Sequence, residues 1–377
     1  MKSDRSAALL LLSAAIMGLV LANSPVGFAL LDFKSTYIGF ESINLSLSIQ
    51  KWTSDLLLAS FFLVAGLELK HELSNGVLSR VSTALVPVVA GIGGIAVPAI
   101  IYSGFNWGTE YMAGWPIPTA TDIAFALGVL AIFGRGLPKA ARVFLLALAI
   151  FDDLVAILVI AIFYTDDVAI EWLIAGALVL AAHAIAERIP KLPIVAIRFI
   201  SFGLAWYAVY QSGVHATIAG VAMGLLIPAS KTHSLVGKIQ PWTNTVALPI
   251  FAFFAVAISL PTFEQEVSSV FNGIAIALPV GKIVGITLFA LLANLLAEKS
   301  ARLNLHVLDF AAVAGLAGIG FTVSLLMTNL AFEALPEIKA EATLAVIVGS
   351  LISLAFGAYL SQIRGRHYAK HGNKDRN

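Results

Sequence analysis

The sequence predicts an all-α polytopic membrane protein of twelve transmembrane helices, with two inverted-topology repeats and a helix broken near mid-membrane in each. Three observations carry this reading: an apolar composition, regularly spaced hydrophobic runs with cations confined to one side, and two interrupted runs in corresponding places. Of the 377 residues, 59% are hydrophobic, only 12% are charged, and the mean hydropathy is +0.92. An ordinary soluble domain carries about 25% charged residues. No charged or low-complexity block is long enough to form a separate soluble domain, so residues 1–364 read as one membrane domain and 365–377 as a basic cytoplasmic tail.

Composition also excludes several classes. The phosphate-binding pattern Gly-x4-Gly-Lys-Ser/Thr is absent, because Gly281-Lys282 is followed by Ile283 and Ile276 stands where the first glycine belongs. Any work the protein does must therefore draw on a gradient, and no enzyme chemistry or cofactor is expected. The chain has no cysteine, which removes disulfides and thiolate metal sites. A net charge of +1 says little about partners; membrane lipid is the expected one, and nucleic acid is not.

Hydropathy places the spans near residues 7–22, 52–74, 84–104, 113–134, 140–164, 170–187, 195–210, 213–228, 240–260, 271–297, 306–332 and 340–363. The loops test this division independently. Of the 23 Lys and Arg residues, all but four fall on one side: Lys34, Lys51 and Lys339 lie opposite, and Lys282 lies inside a span. That asymmetry puts both termini in the cytoplasm. Acidic loops at Asp166-Asp167 and Glu264-Gln-Glu266 then lie outside, although acids influence topology little. The first span, with Lys2, Arg5 and Val20-Leu-Ala22, also has the pattern of a cleavable secretory signal. Between the first two spans, Ile43-Asn-Leu-Ser-Leu-Ser-Ile-Gln alternates strictly, which suggests a small external β-hairpin; an irregular loop is the plainer alternative.

Two spans look broken. The fourth, Gly114-Trp-Pro-Ile-Pro-Thr-Ala-Thr-Asp-Ile-Ala-Phe-Ala-Leu-Gly128, has two prolines that remove backbone donors just before Thr119, Thr121 and Asp122. The eleventh contains Gly315-Leu-Ala-Gly-Ile-Gly-Phe-Thr-Val-Ser324, where glycine either unwinds the helix or lets a neighbour approach closely. Spans 3–5 (about 84–164) enter from the cytoplasm and spans 10–12 (about 271–363) from outside, so the two groups are inverted and each has its interrupted span at the centre. Such pairs point to a midplane binding site. Half-helix ends facing each other need charge to offset their dipoles. Asp122 has the right sign for paired N-termini and Lys282 for paired C-termini.

The fifth span carries Asp152 and Asp153 in the middle of the apolar run 143–163. Each ionised Asp at a helix centre costs roughly 2.5 to 3.5 kcal/mol on insertion scales, so the pair is a candidate ion site. Adjacent helical residues diverge by about 100°, yet both carboxylates can line one broad cavity. Lys282, in the tenth span, needs a nearby acid to keep its proton, and Asp152 or Asp153 is the natural partner. The pair either holds two helices together or breaks when the acid takes another ion.

The blocks Phe62-Leu-Val-Ala-Gly-Leu-Glu-Leu-Lys-His-Glu-Leu73, Pro118-Thr-Ala-Thr-Asp-Ile-Ala-Phe-Ala-Leu-Gly-Val-Leu130, Leu146-Ala-Leu-Ala-Ile-Phe-Asp-Asp-Leu154, Ser212-Gly-Val-His-Ala-Thr-Ile-Ala-Gly220, Gly281-Lys282 and Gly318-Ile-Gly-Phe-Thr-Val-Ser324 closely resemble the NhaA-type sodium/proton antiporters of bacterial inner membranes. Several blocks in the right order over nearly the whole chain make this more specific than any single motif. That family is itself an example behind the rule of paired broken helices, so the agreement on inverted repeats is not independent. The resemblance implies a twelve-helix antiporter that exports Na+ or Li+ and imports protons, two per sodium. That ratio moves one net charge inward, favoured by about 2.3 kcal/mol per 100 mV of inside-negative potential. It implies Asp152 and Asp153 as ion-binding residues, Thr121 and Asp122 as broken-helix residues, Lys282 as a membrane lysine, and a homodimer joined partly through the external hairpin. Na+ prefers oxygen ligands, which carboxylates, Thr121 and freed carbonyls supply, so proton and cation compete for the same atoms. Asp153 is expected to be the principal Na+ ligand, with Asp152 exchanging between Lys282 and the ion or proton.

Glu68, Lys70, His71 and Glu72 lie at the cytoplasmic end of the second span, with Glu68 and Glu72 on one face. They read as a solvated helix end, or, through the resemblance, as a cytoplasmic funnel or pH-responsive cluster. His215 near an external helix start is a structural histidine or a pH sensor. Asp55 lines an exit route or faces water. The chain departs from the family where Val236, Gly237 and Gln240 replace acid and histidine residues associated with pH control, and where Phe251-Ala-Phe-Phe-Ala-Val-Ala257 lacks Asn-Ala-Gly. Antiport is expected to survive with an altered pH profile. Among competing classes, a cation channel lacks a Thr-Val-Gly-Tyr-Gly filter, a sodium-coupled symporter would show solute-dependent Na+ uptake, and an intramembrane aspartyl protease would need Gly-x-Gly-Asp.

Overall fold

The computed structural model describes residues 2–165, 168–190, 192–260, 267–298 and 302–371. Asp166-Asp167, Glu264-Gln-Glu266, Lys191, Lys299 and residues 372–377 of the basic tail lie outside the described residues. The elements in order are α1 (Lys2–Ala22), α2 (Gly27–Ser35), β1 (Tyr37–Phe40), β2 (Leu45–Ser48), α3 (Ile49–Asn75), α4 (Val81–Asn106), α5 (Ile123–Phe133), α6 (Lys139–Phe163), α7 (Ile170–Ala186), α8 (Ile194–Gln211), α9 (Thr217–Leu226), α10 (Ala229–Val256), α11 (Ser269–Leu296), α12 (Val307–Ala317), α13 (Phe321–Ala331) and α14 (Pro336–His371). One-turn π segments interrupt α3 at Thr53–Leu57, α10 at Thr243–Ala247 and α11 at Ala277–Gly281.

Among the described residues, nine helices are long and apolar enough to cross a membrane, or ten if the bent pair α12 and α13 is one span. The prediction of twelve is not reached by length. The segments expected as the sixth and eighth spans form apolar helices of only 17 and 10 residues, α7 and α9. At 1.5 Å per residue α9 rises about 15 Å, half a hydrocarbon core. The run 213–228 looked longer because turn residues before Thr217 are themselves weakly apolar. The ninth span begins earlier than hydropathy suggested: α10 starts at Ala229, its polar first half sitting on the same continuous helix as the apolar Leu248–Val256.

The chain forms two compact units. One comprises Ala14–Gly76 and Ile157–Ala257. It holds the expected hairpin, in which β1 and β2 pair antiparallel from Tyr37 opposite Ser48 to Phe40 opposite Leu45. Leu47 of β2 turns inward, whereas all four residues of β1 are exposed, so β1 has no covered face. Trp52, Trp206 and Tyr210 stack in series on the same side as Leu47.

The other unit comprises Met1–Ser13, Val77–Ala156 and Ile258–Asn377. Helices α4 and α11 cross at glycine. A Cβ on Gly285 would lie 2.1 Å from the carbonyl oxygen of Gly93, and one on Gly93 would lie 2.5 Å from that of Gly285. This small-residue crossing is how helices associate closely without an aqueous hydrophobic drive. It fixes the face of α11 from which Lys282 projects.

Candidate functional site

Both interrupted spans are broken where the sequence indicated. Ahead of α5 the chain makes two short 3-10 turns, Glu110–Gly114 and Ile117–Thr119, and then extends through Ala120 and Asp122. Pro116 and Pro118 supply no N–H, so a continuous helix would lack donors there. Between α12 and α13 the helix axis bends by 49° across residues 318–320. The glycines serve both of the anticipated purposes. They interrupt the helix, and a Cβ on Gly318 would lie 2.6 Å from Ser353 Oγ, while one on Gly320 would lie 3.1 Å from the Ala120 carbonyl oxygen.

The two breaks are sewn together by hydrogen bonds that satisfy the freed backbone. The Asp122 N–H donates to the Ile319 carbonyl at 2.7 Å, and Ser324 Oγ donates to the Ile117 carbonyl at 2.7 Å. The Asp122 carboxylate then caps two helices at once. Its Oδ1 accepts from the Phe125 N–H of α5 at 2.9 Å, and its Oδ2 accepts from the Thr322 N–H of α13 at 3.2 Å and from Thr322 Oγ1 at 2.6 Å. An anion here offsets the positive ends of both helix dipoles.

Beside this crossing, Lys282 Nζ lies 2.6 Å from Asp152 Oδ2, and neither side chain reaches solvent. Lys282 follows the π segment Ala277–Gly281 directly; such turns shift the phase of a helix and recur at functional sites. Lys282 also donates to Thr121 Oγ1 at 3.0 Å. The Thr121 hydroxyl is within 2.7 Å of both Asp152 Oδ2 and the Ala317 carbonyl at the C-terminal end of α12. Having one proton, it donates to one of these at a time. No protein group among the described residues donates to Asp152 Oδ1, which is buried. Asp153 is the next residue of α6 and is also buried, 5% exposed. Thr121, Asp152 and Lys282 thus form one hydrogen-bonded cluster, with Asp122 and Asp153 adjoining it in sequence.

The other candidates belong to the unit comprising Ala14–Gly76 and Ile157–Ala257. Glu68 accepts from Gln240 Nε2 at 3.0 Å. The His71 ring lies 6.1 Å from that of His233, and Lys70 and Glu72 are partly buried on the same last turns of α3. His215 Nδ1 is 2.7 Å from Thr217 Oγ1, and its Nε2 is 3.7 Å from Asp55 Oδ1. Asp55 is buried within the π segment of α3 rather than facing water, and Ser54 Oγ donates to it at 2.8 Å.

Three interactions were not foreseen. Thr322 as the second clamp on Asp122 lies in a quoted motif, but its role needs the fold. Asp309 accepts from Arg364 Nε at 2.7 Å and from Tyr368 Oη at 2.7 Å, tying α12 to α14. Glu187, just past α7, accepts from Arg198 Nε at 2.5 Å and Lys231 Nζ at 2.9 Å. Burial pushes the Glu187 carboxyl up, but these bonds outweigh it and hold the group below the usual carboxylate range.

The family model described as Na+/H+ antiporter 1 matches residues 1–360. A Na(+)/H(+) antiporter NhaA 2 of Clavibacter michiganensis subsp. michiganensis is 44% identical over 380 residues, covering 98% of this chain and 93% of the relative. A Na(+)/H(+) antiporter NhaA of Thermobifida fusca is 40% identical, with 98% and 94% covered, and a Na(+)/H(+) antiporter NhaA 2 of Pseudomonas syringae pv. syringae is 38% identical, with 98% and 94% covered. A match of this length and identity, on a multi-pass membrane chain with acids buried between broken helices, establishes that the protein belongs to the Na+/H+ antiporter 1 family.

Proposed function

We propose that the protein exports Na+ or Li+ in exchange for protons, and that both compete for the carboxylates of Asp152 and Asp153. The observation that carries this reading is the fully buried Lys282–Asp152 pair bonded to Thr121, with the Asp152 Oδ1 atom left without a protein donor. A buried ion pair is held by geometry as much as by charge, so it opens when one partner is neutralised or recruited elsewhere. Asp153 provides the main oxygens for the arriving cation, and Asp152 joins it by leaving Lys282. Thr121 follows by swinging its proton from Asp152 to the Ala317 carbonyl, which frees hydroxyl lone pairs for the ion. When the cation departs, protons take its place on the same oxygens. Asp122 stays fixed as the cap of α5 and α13, and Lys282 offsets the C-terminal ends through Thr121.

With two protons per sodium the cycle is electrogenic. The orientation places both termini in the cytoplasm of a bacterial inner membrane, consistent with the one-sided Lys and Arg residues. A homodimer through the hairpin suits the wholly exposed β1 strand, whose edge is a template for pairing. Regulation by pH falls to Glu68, Lys70, His71, Glu72 and His215, and the neutral Gln240 bonded to Glu68 gives this chain a pH profile of its own.

The test is Na+-dependent dissipation of an imposed proton gradient by the purified protein in proteoliposomes. Na+ and Li+ are expected to collapse the gradient where choline does not. Na+ uptake that requires an organic solute would overturn exchange in favour of symport.

A further inference from the structure

Helix α12 meets the cluster of Thr121, Asp152 and Lys282 with its last turn. The Gly318 N–H takes the Ala314 carbonyl and the Ile319 N–H takes that of Leu316, while the Ala317 carbonyl accepts from Thr121 Oγ1 at 2.7 Å. Asp309, in the first turn, lies about 12 Å away along the helix at 1.5 Å per residue. It is completely buried, and its carboxylate meets donors from two helices. Oδ1 accepts from Arg364 Nε at 2.7 Å. Oδ2 accepts from Arg364 Nη2 at 3.3 Å, from Tyr368 Oη at 2.7 Å and from the His306 N–H at 2.8 Å. The last of these bonds, with His306 Nδ1 accepting from the Leu308 N–H at 3.2 Å, closes an N-terminal capping box. A cap needs no more than that. The arginine and tyrosine come from α14, and a guanidinium held by two parallel bonds fixes orientation as well as distance.

Helix α14 carries both halves of the interrupted span. The Phe321 N–H at the start of α13 donates to Ser350 Oγ at 3.3 Å. Between that bond and the Asp309–Arg364 pair, α12 and α14 touch through their backbones. A Cβ on Gly315 would lie 3.0 Å from Gly357 Cα, and one on Gly357 would lie 2.7 Å from the Leu316 nitrogen. Glycines let two helices approach closely, but they offer no side chain to interlock, so by themselves they oppose sliding or rotation of α12 weakly. A buried ion pair adds little net stability over apolar packing, and its best-attested use is to fix the register of two helices. The bonds of Asp309 supply that register here.

We infer that Asp309, Arg364 and Tyr368 are positioning residues for cation selection. They set the axial position and rotation of α12, and through it the point where the Ala317 carbonyl meets Thr121. The oxygen spacing beside Thr121 follows from that placement, and ligand spacing discriminates between cations of different radius. The three residues thereby govern the preference between Na+ and the smaller Li+ without touching either ion. This inference rests on the proposed binding of the cation beside Thr121.

The test measures, for the full chain in proteoliposomes, the Na+ and Li+ concentrations that give half-maximal dissipation of a proton gradient; neither depends on the fraction of protein that folds. Arg364→Gln is expected to raise the half-maximal Na+ concentration at least about fivefold and to change its ratio to the Li+ value at least about threefold. Tyr368→Phe, a milder change, is expected to shift both in the same direction by about twofold, and it decides the matter where Arg364→Gln does not fold. Glu187→Gln breaks a buried ion pair in the other unit and is expected to lower thermal stability while leaving both values at those of the wild type. Unchanged half-maximal concentrations in the Arg364 and Tyr368 variants, or an equal shift in Glu187→Gln, would overturn the positioning role. Thr121→Ala separates this inference from the reading beneath it. A shift in Thr121→Ala without one in the Arg364 and Tyr368 variants overturns the positioning role alone, whereas no shift in Thr121→Ala overturns the placement of the cation and the positioning role with it.

Discussion

Lys282 Nζ and Asp152 Oδ2 are 2.6 Å apart with both side chains fully removed from solvent. Breaking a buried pair by removing one member is costly, roughly 3 to 5 kcal/mol, because the survivor is left without its counter-charge. Lys282→Met is therefore expected to lower thermal stability in detergent markedly at alkaline pH. The deficit should shrink as pH falls, since a proton on Asp152 removes the uncompensated charge. A deficit that is constant across pH would show that the lysine acts by packing alone.

Asp122 caps α5 and α13 simultaneously. Losing one N-cap costs about 1 kcal/mol, so Asp122→Ala should cost about 2 kcal/mol or more in a detergent melt. Asp122→Asn retains an acceptor oxygen and is expected to lose less. Equal losses would mean that charge, rather than capping, dominates.

The contact between Gly93 and Gly285 has no room for a side chain. Gly285→Leu is expected to push α11 from α4, displace Lys282, and slow exchange about tenfold or more, because small misplacements near a reacting site are costly. Unchanged exchange would show that Lys282 is positioned by its own bonds alone.

Glu187 offers a stability test outside the spans. Its pKa is held below the ordinary carboxylate range, so its contribution is present above that range and is lost as pH falls through the lower folded value. Glu187→Gln is expected to cost about 2 kcal/mol near neutrality and nothing in strong acid. A difference that persists in acid would contradict the assignment.

Exchange followed between about pH 6 and 9 should depart from the alkaline activation usual in the family, because Val236, Gly237 and Gln240 cannot titrate. The familiar activation curve would sink that expectation.

Much of the fold was legible because a bilayer imposes strong rules. The breaks at 120–122 and 318–320 could be read from Pro116, Pro118 and the three glycines, since lipid punishes any irregular backbone that lacks a purpose. The alternation at residues 43–50 marks β2 alone and leaves an irregular loop open; its partner β1 needs the fold. Span number could not be read, because α9 is a short helix whose flanking turn is also apolar. Within the site, the residue types were visible but their pairing was not. Asp152 and Asp153 are equivalent in sequence, and only the rotation of α6 and the π segment before Lys282 bring the first of them to the lysine. Thr322, Asp55 with His215, and Asp309 with Arg364 depend on contacts between distant segments, for which a single sequence carries no signal.

The central claim is that sodium and protons compete at the paired aspartates. It is tested most directly by Na+-dependent dissipation of a proton gradient in proteoliposomes, comparing the wild type with Asp153→Asn at equal incorporation and verified fold. The variant is expected to lose exchange, at least about a hundredfold, because an amide neither carries the proton nor offers the anionic oxygens the cation needs. Full exchange by Asp153→Asn would contradict the account.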